Sequence, residues 1–259
     1  MSVSTEPTVR LDIEQGVATV TLDRPPLNVL TTTMLHELEG VMRDLAQVTD
    51  LRLVVLCGKG KVFSAGVDVG EHIGDALGPM LDAFLAASLR LQECPIPTLA
   101  VVHGAALGGG AELVALCDLA IATDDAKIGT PEITLGVVPP VAAAVFPGLL
   151  GSQRARALVL TGEPIPGMEA AASGLVWKSV PSDALETEVD RVVTRFRSLS
   201  AASLRLAKRT FGAAAAAPTP EMALRAADQE QRASLPTMHD ANEGLRSFVE
   251  KRRPRWEHR

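Results

Sequence analysis

The sequence predicts an α/β fold with a helical tail, on three observations. Strand-length apolar runs alternate with segments of helical period through the first two thirds of the chain. Hydrophobic residues make up 47% of 259 positions, enough for a sizeable core in one large domain, or in a core with an appendage. From about Ala184 onward only helical periodicity remains.

Val9 to Glu14 and Val17 to Leu22 are rich in β-branched residues and separated by Gln15-Gly16, which reads as a β-hairpin. Arg24-Pro25-Pro26 then forces an irregular connection. From Thr33 to Val48 the apolar positions Met34, Leu35, Leu38, Val41, Met42 and Leu45 recur at helical spacing, and Leu51 to Leu56 is a continuous apolar run of strand length. The rhythm continues with a strand over Pro97 to Val102, a helix over Gly110 to Leu116, a strand over Leu119 to Ala122 and a helix over Arg154 to Leu160. Such alternation argues for at least one sheet buried on both faces. In the tail, Leu185 to Phe196, Ser203 to Phe211, Pro220 to Ala233 and Asp240 to Lys251 read as helices that pack on the core or on a neighbouring subunit.

Composition narrows the function. A net charge of −6 leaves no footprint for a phosphate backbone, and the one basic cluster, Lys251-Arg252-Arg253 with Arg255, is short. With no tyrosine and 3% aromatic residues, stacking platforms are missing too, so nucleic acid is not an expected partner. Cys57, Cys94 and Cys117 are odd in number and scattered, with neither CxxC nor Cys/His spacing, which points to a reducing, cytoplasmic setting without disulfides or a structural metal. Met1 to Arg10 has no apolar signal region, and the longest apolar tract is interrupted by His103, Glu112 and glycines, so neither export nor membrane insertion is expected.

Three segments can carry chemistry. Lys59 to Asp68 follows a strand and turns through small residues; it is either a partial anion site of outward amides or a surface loop. His103 to Glu112 leaves a buried strand and opens a helix through Gly108-Gly109-Gly110. That leaves N–H groups and the positive end of a helix dipole facing outward, although tight turns also use glycine for steric reasons alone. Glu112, in the first turn of an apolar helix, either caps that helix or faces a site. Twenty positions on, Glu132 follows Pro131 among Ile128, Ile133, Leu135, Val137 and Val138. It is either a solvated loop residue or a half-buried acid whose pKa desolvation would raise into the range of a proton donor. His103 reads as a structural histidine at a strand end, and Asp68 and Asp118 as turn or cap residues.

Taken together, Phe63-Ser64-Ala65-Gly66-Val67-Asp68, Gly104 to Glu112 and Gly129-Thr130-Pro131-Glu132-Ile133-Thr134-Leu135-Gly136 resemble the enoyl-CoA hydratase/isomerase (crotonase) superfamily. The likeness runs on through Leu160-Thr161-Gly162, Glu169-Ala170, Gly174-Leu175-Val176 and Asn242 to Arg252, almost the whole chain. The resemblance implies a spiral of ββα units over 1–195 holding the active site, and a helical trimerisation region over 196–259, assembled as a homotrimer or dimer of trimers. It implies an acyl-CoA substrate, with CoA part of the substrate and no separate cofactor or metal. By matching positions, the amides of Val67 and Gly109 form the oxyanion hole, Glu112 and Glu132 hold a water and move its protons, and Ala65, Asp68, Phe248 and Lys251 touch CoA, the last two from a neighbouring subunit. The stretch from Glu71 to Arg90, loop then helix, lines the acyl pocket by the same likeness, with Met80, Phe84 and Leu85 marking it as apolar. Hydration uses both glutamates; double-bond isomerisation, or a non-catalytic acyl-CoA-binding scaffold, remain alternatives.

One segment departs from the ordinary hydratase pattern. Val138-Pro139-Pro140-Val141-Ala142-Ala143-Ala144 replaces a proline and a glycine-rich turn, and Pro140 has no N–H to offer near the reacting water. The double proline resembles the cyclohexa-1,5-diene-1-carbonyl-CoA hydratase branch, which acts on a cyclic dienoyl thioester.

Overall fold

The computed structural model describes residues 6–259; the expectation about an N-terminal signal falls in part on residues 1–5, outside that range. The chain begins with a hairpin, β1 (Val9–Glu14) and β2 (Val17–Leu22), paired from Val9 with Leu22 to Glu14 with Val17. Its turn residues Gln15 and Gly16 both have positive φ, the backbone a two-residue hairpin needs to match strand twist. Helix α1 (Thr32–Leu45) starts at Thr31, whose side chain accepts from the Met34 N–H, and buries Met34, Leu35, Leu38, Met42 and Leu45.

Strand β3 (Leu53–Gly58) pairs parallel to β2, and a loop with two short 3-10 turns leads to α2 (Leu77–Gln92). Strand β4 (Thr98–Val102) pairs parallel with β3 and is followed at once by β5 (Ala105–Leu107) and α3 (Gly109–Leu116). The next unit repeats this pattern: β6 (Leu119–Thr123), β7 (Lys127–Gly129), a 3-10 turn over Pro131–Leu135 and α4 (Pro140–Leu150). Then come α5 (Ser152–Thr161), β8 (Ile165–Pro166), α6 (Gly167–Ser173), β9 (Lys178–Val180) and α7 (Leu185–Arg197). The chain closes with α8 (Ala201–Ala215), α9 (Pro220–Ser234) and α10 (His239–Val249).

Two sheets result. The larger has the order β1-β2-β3-β4-β6-β9, parallel except for the first hairpin, and the smaller has β5-β7-β8. Each β4-β5-α3 and β6-β7-α4 unit therefore sends one strand to each sheet before its helix, which is the ββα spiral the family resemblance implies. The inner strands β3, β4 and β6 of the large sheet are buried on both faces, as expected, while β1 at the edge is exposed beyond Val9. Val54, Leu56, Ala100 and Ala122 face the main core with α1, α2 and α3, while Val17, Leu53, Val55, Leu99, Val101 and Ile121 pack against Val189, Val192, Val193 and Phe196 of α7.

The helical tail is built differently. Helix α9 has no buried residue, α10 buries only Asp240 and Ser247, and Phe211, Leu224, Leu245, Phe248 and Val249 are all strongly exposed. Asp118 lies in the bend between α3 and β6, in keeping with a turn residue. Its carboxylate accepts from the Thr98 N–H and hydroxyl and, at 2.5 Å, from Lys208 of α8, which ties the tail to the core. No described helix is long and apolar enough to cross a membrane.

Candidate active site

The site forms where the Ser64–Asp68 loop meets the β5-to-α3 turn. Asn28 anchors the loop from below, its Nδ2 donating to the carbonyls of Lys59, Val62 and Phe63. Ser64 pairs with the small sheet through its own N–H to Ala105 and the Leu107 N–H to its carbonyl, and its hydroxyl accepts from the Gly66 N–H. The loop then touches a second support: Ala65 N–H donates to Leu27 and Asp68 N–H to Leu30. Two glycines permit the contact with the opposite turn. A Cβ on Gly66, at φ +102°, would stand 2.9 Å from the Leu107 carbonyl oxygen, and one on Gly109 would stand 2.6 Å from Val67 Cγ2 and 3.0 Å from the Phe84 ring.

Val67 and Gly109 are thus brought side by side. Among the described residues, neither N–H donates to a protein acceptor. Gly109 opens α3, where the first N–H groups lack partners in the helix, so the free amide and the positive dipole end coincide. Phe84 of α2 lies against this wall, placing an apolar side chain of the Glu71-to-Arg90 stretch beside the amides.

The carboxylates make the other wall. Glu112 is 2% exposed and does not cap its own helix. It reaches across to α4 and accepts from the Ala142 N–H at 2.8 Å. Burial pushes its pKa up to about 7; the negative charge of Glu132 adds to the rise, while the backbone N–H groups of Ala142 and Val141 oppose it. Pro140 is the first residue of α4, where a missing N–H costs no helical bond and the fixed φ suits the helix. The amides that follow it, of Val141 and Ala142, serve Glu112, while Pro140 itself has no N–H to offer.

Glu132 sits in the Pro131–Leu135 turn, half-buried, and burial raises its pKa as well. Its Oε1 lies 2.7 Å from where a Cβ on Gly108 would be, and that position is 3.8 Å from Gly66 Cα. Gly108, at φ +52°, therefore cannot carry a side chain without displacing this carboxyl. Glu132 Oε2 is buried and has no hydrogen-bond partner among the described residues. Gly108 N–H donates to the Gly129 carbonyl, which locks the segment bearing Glu132 to the glycine turn.

The structure accordingly brings Val67, Gly109, Glu112 and Glu132 together, with Ala65 and Asp68 in the same loop. Asp68 accepts from the Gly70 N–H and lies 3.9 Å from Arg24, the cap role its position suggested. Phe248 and Lys251 stand apart, at the end of α10, which packs on α8; Phe248 is 85% exposed. His103 bonds to the Gly60 carbonyl at 2.9 Å, in keeping with a structural histidine. Sequence reasoning missed His72, which closes the same loop with its Nδ1 2.9 Å from the Asp68 carbonyl oxygen. It is the only histidine in the stretch from Glu71 to Arg90, the one signal that could have marked it. Among the described residues, no three His, Cys, Asp or Glu side chains group closely enough to hold a metal ion. Cys94 is buried and Cys57 and Cys117 half-buried, all as free thiols; burial pushes the Cys117 thiol up to about 12, which leaves it unreactive.

Comparison with known proteins places this arrangement. A family profile described as "Enoyl-CoA hydratase/isomerase" matches residues 12–259. The chain is 35% identical over 257 residues to "Probable enoyl-CoA hydratase echA8" of Mycobacterium tuberculosis, covering 97% of this chain and 98% of that one. It is 34% identical over 253 residues to the "Cyclohexa-1,5-dienecarbonyl-CoA hydratase" of Thauera aromatica, covering 97% and 96%. The crystal structure of enoyl-CoA hydratase from Bacillus anthracis superimposes with a TM-score of 0.91 at 29% identity, over 97% of this chain and all of that one.

Proposed function

The chain belongs to the enoyl-CoA hydratase/isomerase family, and on that premise we propose that it is a hydro-lyase that adds water to, or removes it from, an unsaturated acyl-CoA thioester. The observation that carries the reading is a desolvated glutamate with a pKa near 7, Glu112, paired with a second raised-pKa glutamate, Glu132, across from two free amides. In the hydration direction Glu112 takes a proton from water as its oxygen bonds to the β-carbon. The electron pair of the double bond moves toward the thioester, whose oxygen takes up negative charge and accepts from the Val67 and Gly109 N–H groups. Glu132 then gives its proton to the α-carbon, and solvent restores both carboxyls. Preorganised amides of this kind typically supply about 3 kcal/mol each of transition-state stabilisation. No redox step or separate cofactor is needed.

A cyclic dienoyl thioester belongs to the same proposal. Its support is the Pro139-Pro140 turn, which carries the Glu112 donors, and the Thauera relative; the near-equal identities of 35% and 34% to the two relatives leave the acyl group to experiment. The proposal also includes the division into a catalytic core over 1–195 and an oligomerisation region over 196–259, a homotrimer or dimer of trimers, and a cytoplasmic setting. The strongly exposed Phe211, Leu224, Leu245, Phe248 and Val249 of the tail helices support the assembly, because an interface with a second copy would take these large apolar side chains out of water. Following thioester absorbance with crotonyl-CoA and with a cyclic dienoyl-CoA separates the substrate classes. Turnover of either supports hydration, and CoA binding without turnover of both contradicts it.

A further inference from the structure

Ser64 lies between the two segments that carry the free amides, and it is fully buried. Its N–H donates to the Ala105 carbonyl at 3.1 Å and its carbonyl accepts from the Leu107 N–H at 3.0 Å, which fixes it to β5, the strand that leads into the glycine turn. Its hydroxyl accepts from the Gly66 N–H at 3.1 Å and donates to the Asn28 carbonyl at 2.8 Å. A Cβ on Gly110, the residue after Gly109, would stand 2.9 Å from both Ser64 Cβ and the Ser64 carbonyl oxygen and 3.2 Å from the hydroxyl, so α3 begins directly against this side chain. The Val67 end is braced separately. Leu30 donates to the Gly66 carbonyl and accepts from the Asp68 N–H, both at 2.9 Å, as in a parallel ladder. That pattern turns the Val67 N–H away from Leu30. Leu30 thus sets the direction of this amide and leaves its distance from Gly109 to Ser64.

We propose that Ser64 is a positioning residue that sets the separation of the Val67 and Gly109 amides, so that both reach one thioester oxygen. This rests on the reading of the two amides as an oxyanion hole. The Ser64 side chain meets both segments, through its hydroxyl at Gly66 and through its Cβ and hydroxyl at Gly110. Asn28 holds that hydroxyl in turn. Its own side chain accepts from the Arg24 N–H and donates to the Lys59, Val62 and Phe63 carbonyls, so its carbonyl is a fixed acceptor. Removing the Ser64 hydroxyl takes the partner from two buried groups, the Gly66 N–H and the Asn28 carbonyl. Gly66, at φ +102°, then has the backbone freedom to swing the Val67 amide out of place. A displaced donor weakens the hold on charge that develops in the transition state more than the hold on the ground-state thioester, so the loss belongs in kcat and not in KM.

The test is the infrared stretch of the thioester carbonyl in bound butyryl-CoA, carbon-13-labelled at that carbonyl, a saturated probe with no double bond to hydrate. Two amides on the oxygen should move the band to lower frequency in the wild type than in free butyryl-CoA. In Ser64→Ala that downshift should shrink, and kcat on whichever of crotonyl-CoA and the cyclic dienoyl-CoA is turned over should fall about tenfold at unchanged KM, the scale of a misplaced donor instead of a lost one. Ser64→Cys, which fills the same space with a weakly bonding thiol, should fall between the two, and it carries the test if the alanine variant folds poorly. Wild-type downshift and kcat in the folded variants overturn the proposal, as does a loss confined to KM. If the wild type itself leaves the carbonyl band of saturating butyryl-CoA unshifted, it is the oxyanion-hole reading that fails, and the proposal with it.

Discussion

The two walls of the site are made of different material. The amide wall is backbone, held by glycines at Gly66, Gly108 and Gly109 whose missing side chains let two loops touch; it carries no titratable group. The acid wall is side chain, and its properties come from burial: Glu112 and Glu132 are the same residue type, yet one is dry and bonded to a helix start while the other keeps an oxygen without a partner among the described residues. The amide wall can be broken only by steric change, whereas the acid wall can also be tuned by charge and pH.

The largest expected effect is on the acid wall. Glu112→Gln keeps an acceptor for the Ala142 N–H but cannot take a proton, and should lower turnover about a thousandfold or more while the fold persists by circular dichroism; Glu132→Gln should do the same. Near-normal turnover in either removes that glutamate from the chemistry. Next comes the amide wall. Gly108→Ala places a Cβ 2.7 Å from Glu132 Oε1, in a positive-φ conformation, and should cost about a hundredfold in kcat by displacing that carboxyl. A full-rate alanine variant would mean that the two walls do not interlock.

The pH responses are smaller and belong to the acid wall alone. With Glu112 required as a base, kcat/KM for hydration should fall as pH drops through about 7, and the limb should vanish in the residual activity of Glu112→Gln. Stability should move the opposite way. The folded pKa of about 7 lies above the ordinary 4.5, so the native state holds a proton that the unfolded chain releases between those values, and stability is lost as pH rises through that window. The penalty is on the order of 3 kcal/mol once fully developed. Glu112→Gln should therefore melt higher than the wild type by several degrees at pH 8. At pH 4 it should melt about equally; a difference that does not grow with pH would contradict the burial account.

Legibility in the sequence followed the range of the interaction. The hairpin bounds and α3 could be read because alternation, helical period and glycine turns are local signals. The small sheet could not, since β5 and β7 have three residues each and β8 two, too short to show a period. Helix α4 was hidden by its two prolines and an almost uniformly apolar sequence, which gives no polar face to reveal it. Both glutamates and both amides stood out, but the reason for Glu112's setting did not, because its donor is Ala142, thirty positions away and visible only once α3 and α4 pack. That Glu112 takes its donor from the start of the helix Pro140 opens was hidden for the same reason, while Pro140 itself still offers no N–H to the site.

The most direct measurement is turnover of an accepted enoyl-CoA in oxygen-18 water with mass analysis of the acyl product. A water held between Glu112 and Glu132 predicts one heavy oxygen on the β-carbon, lost together with turnover in Glu112→Gln. Product formed without the label would mean that the double bond only moves, and that the two acids do not share a water.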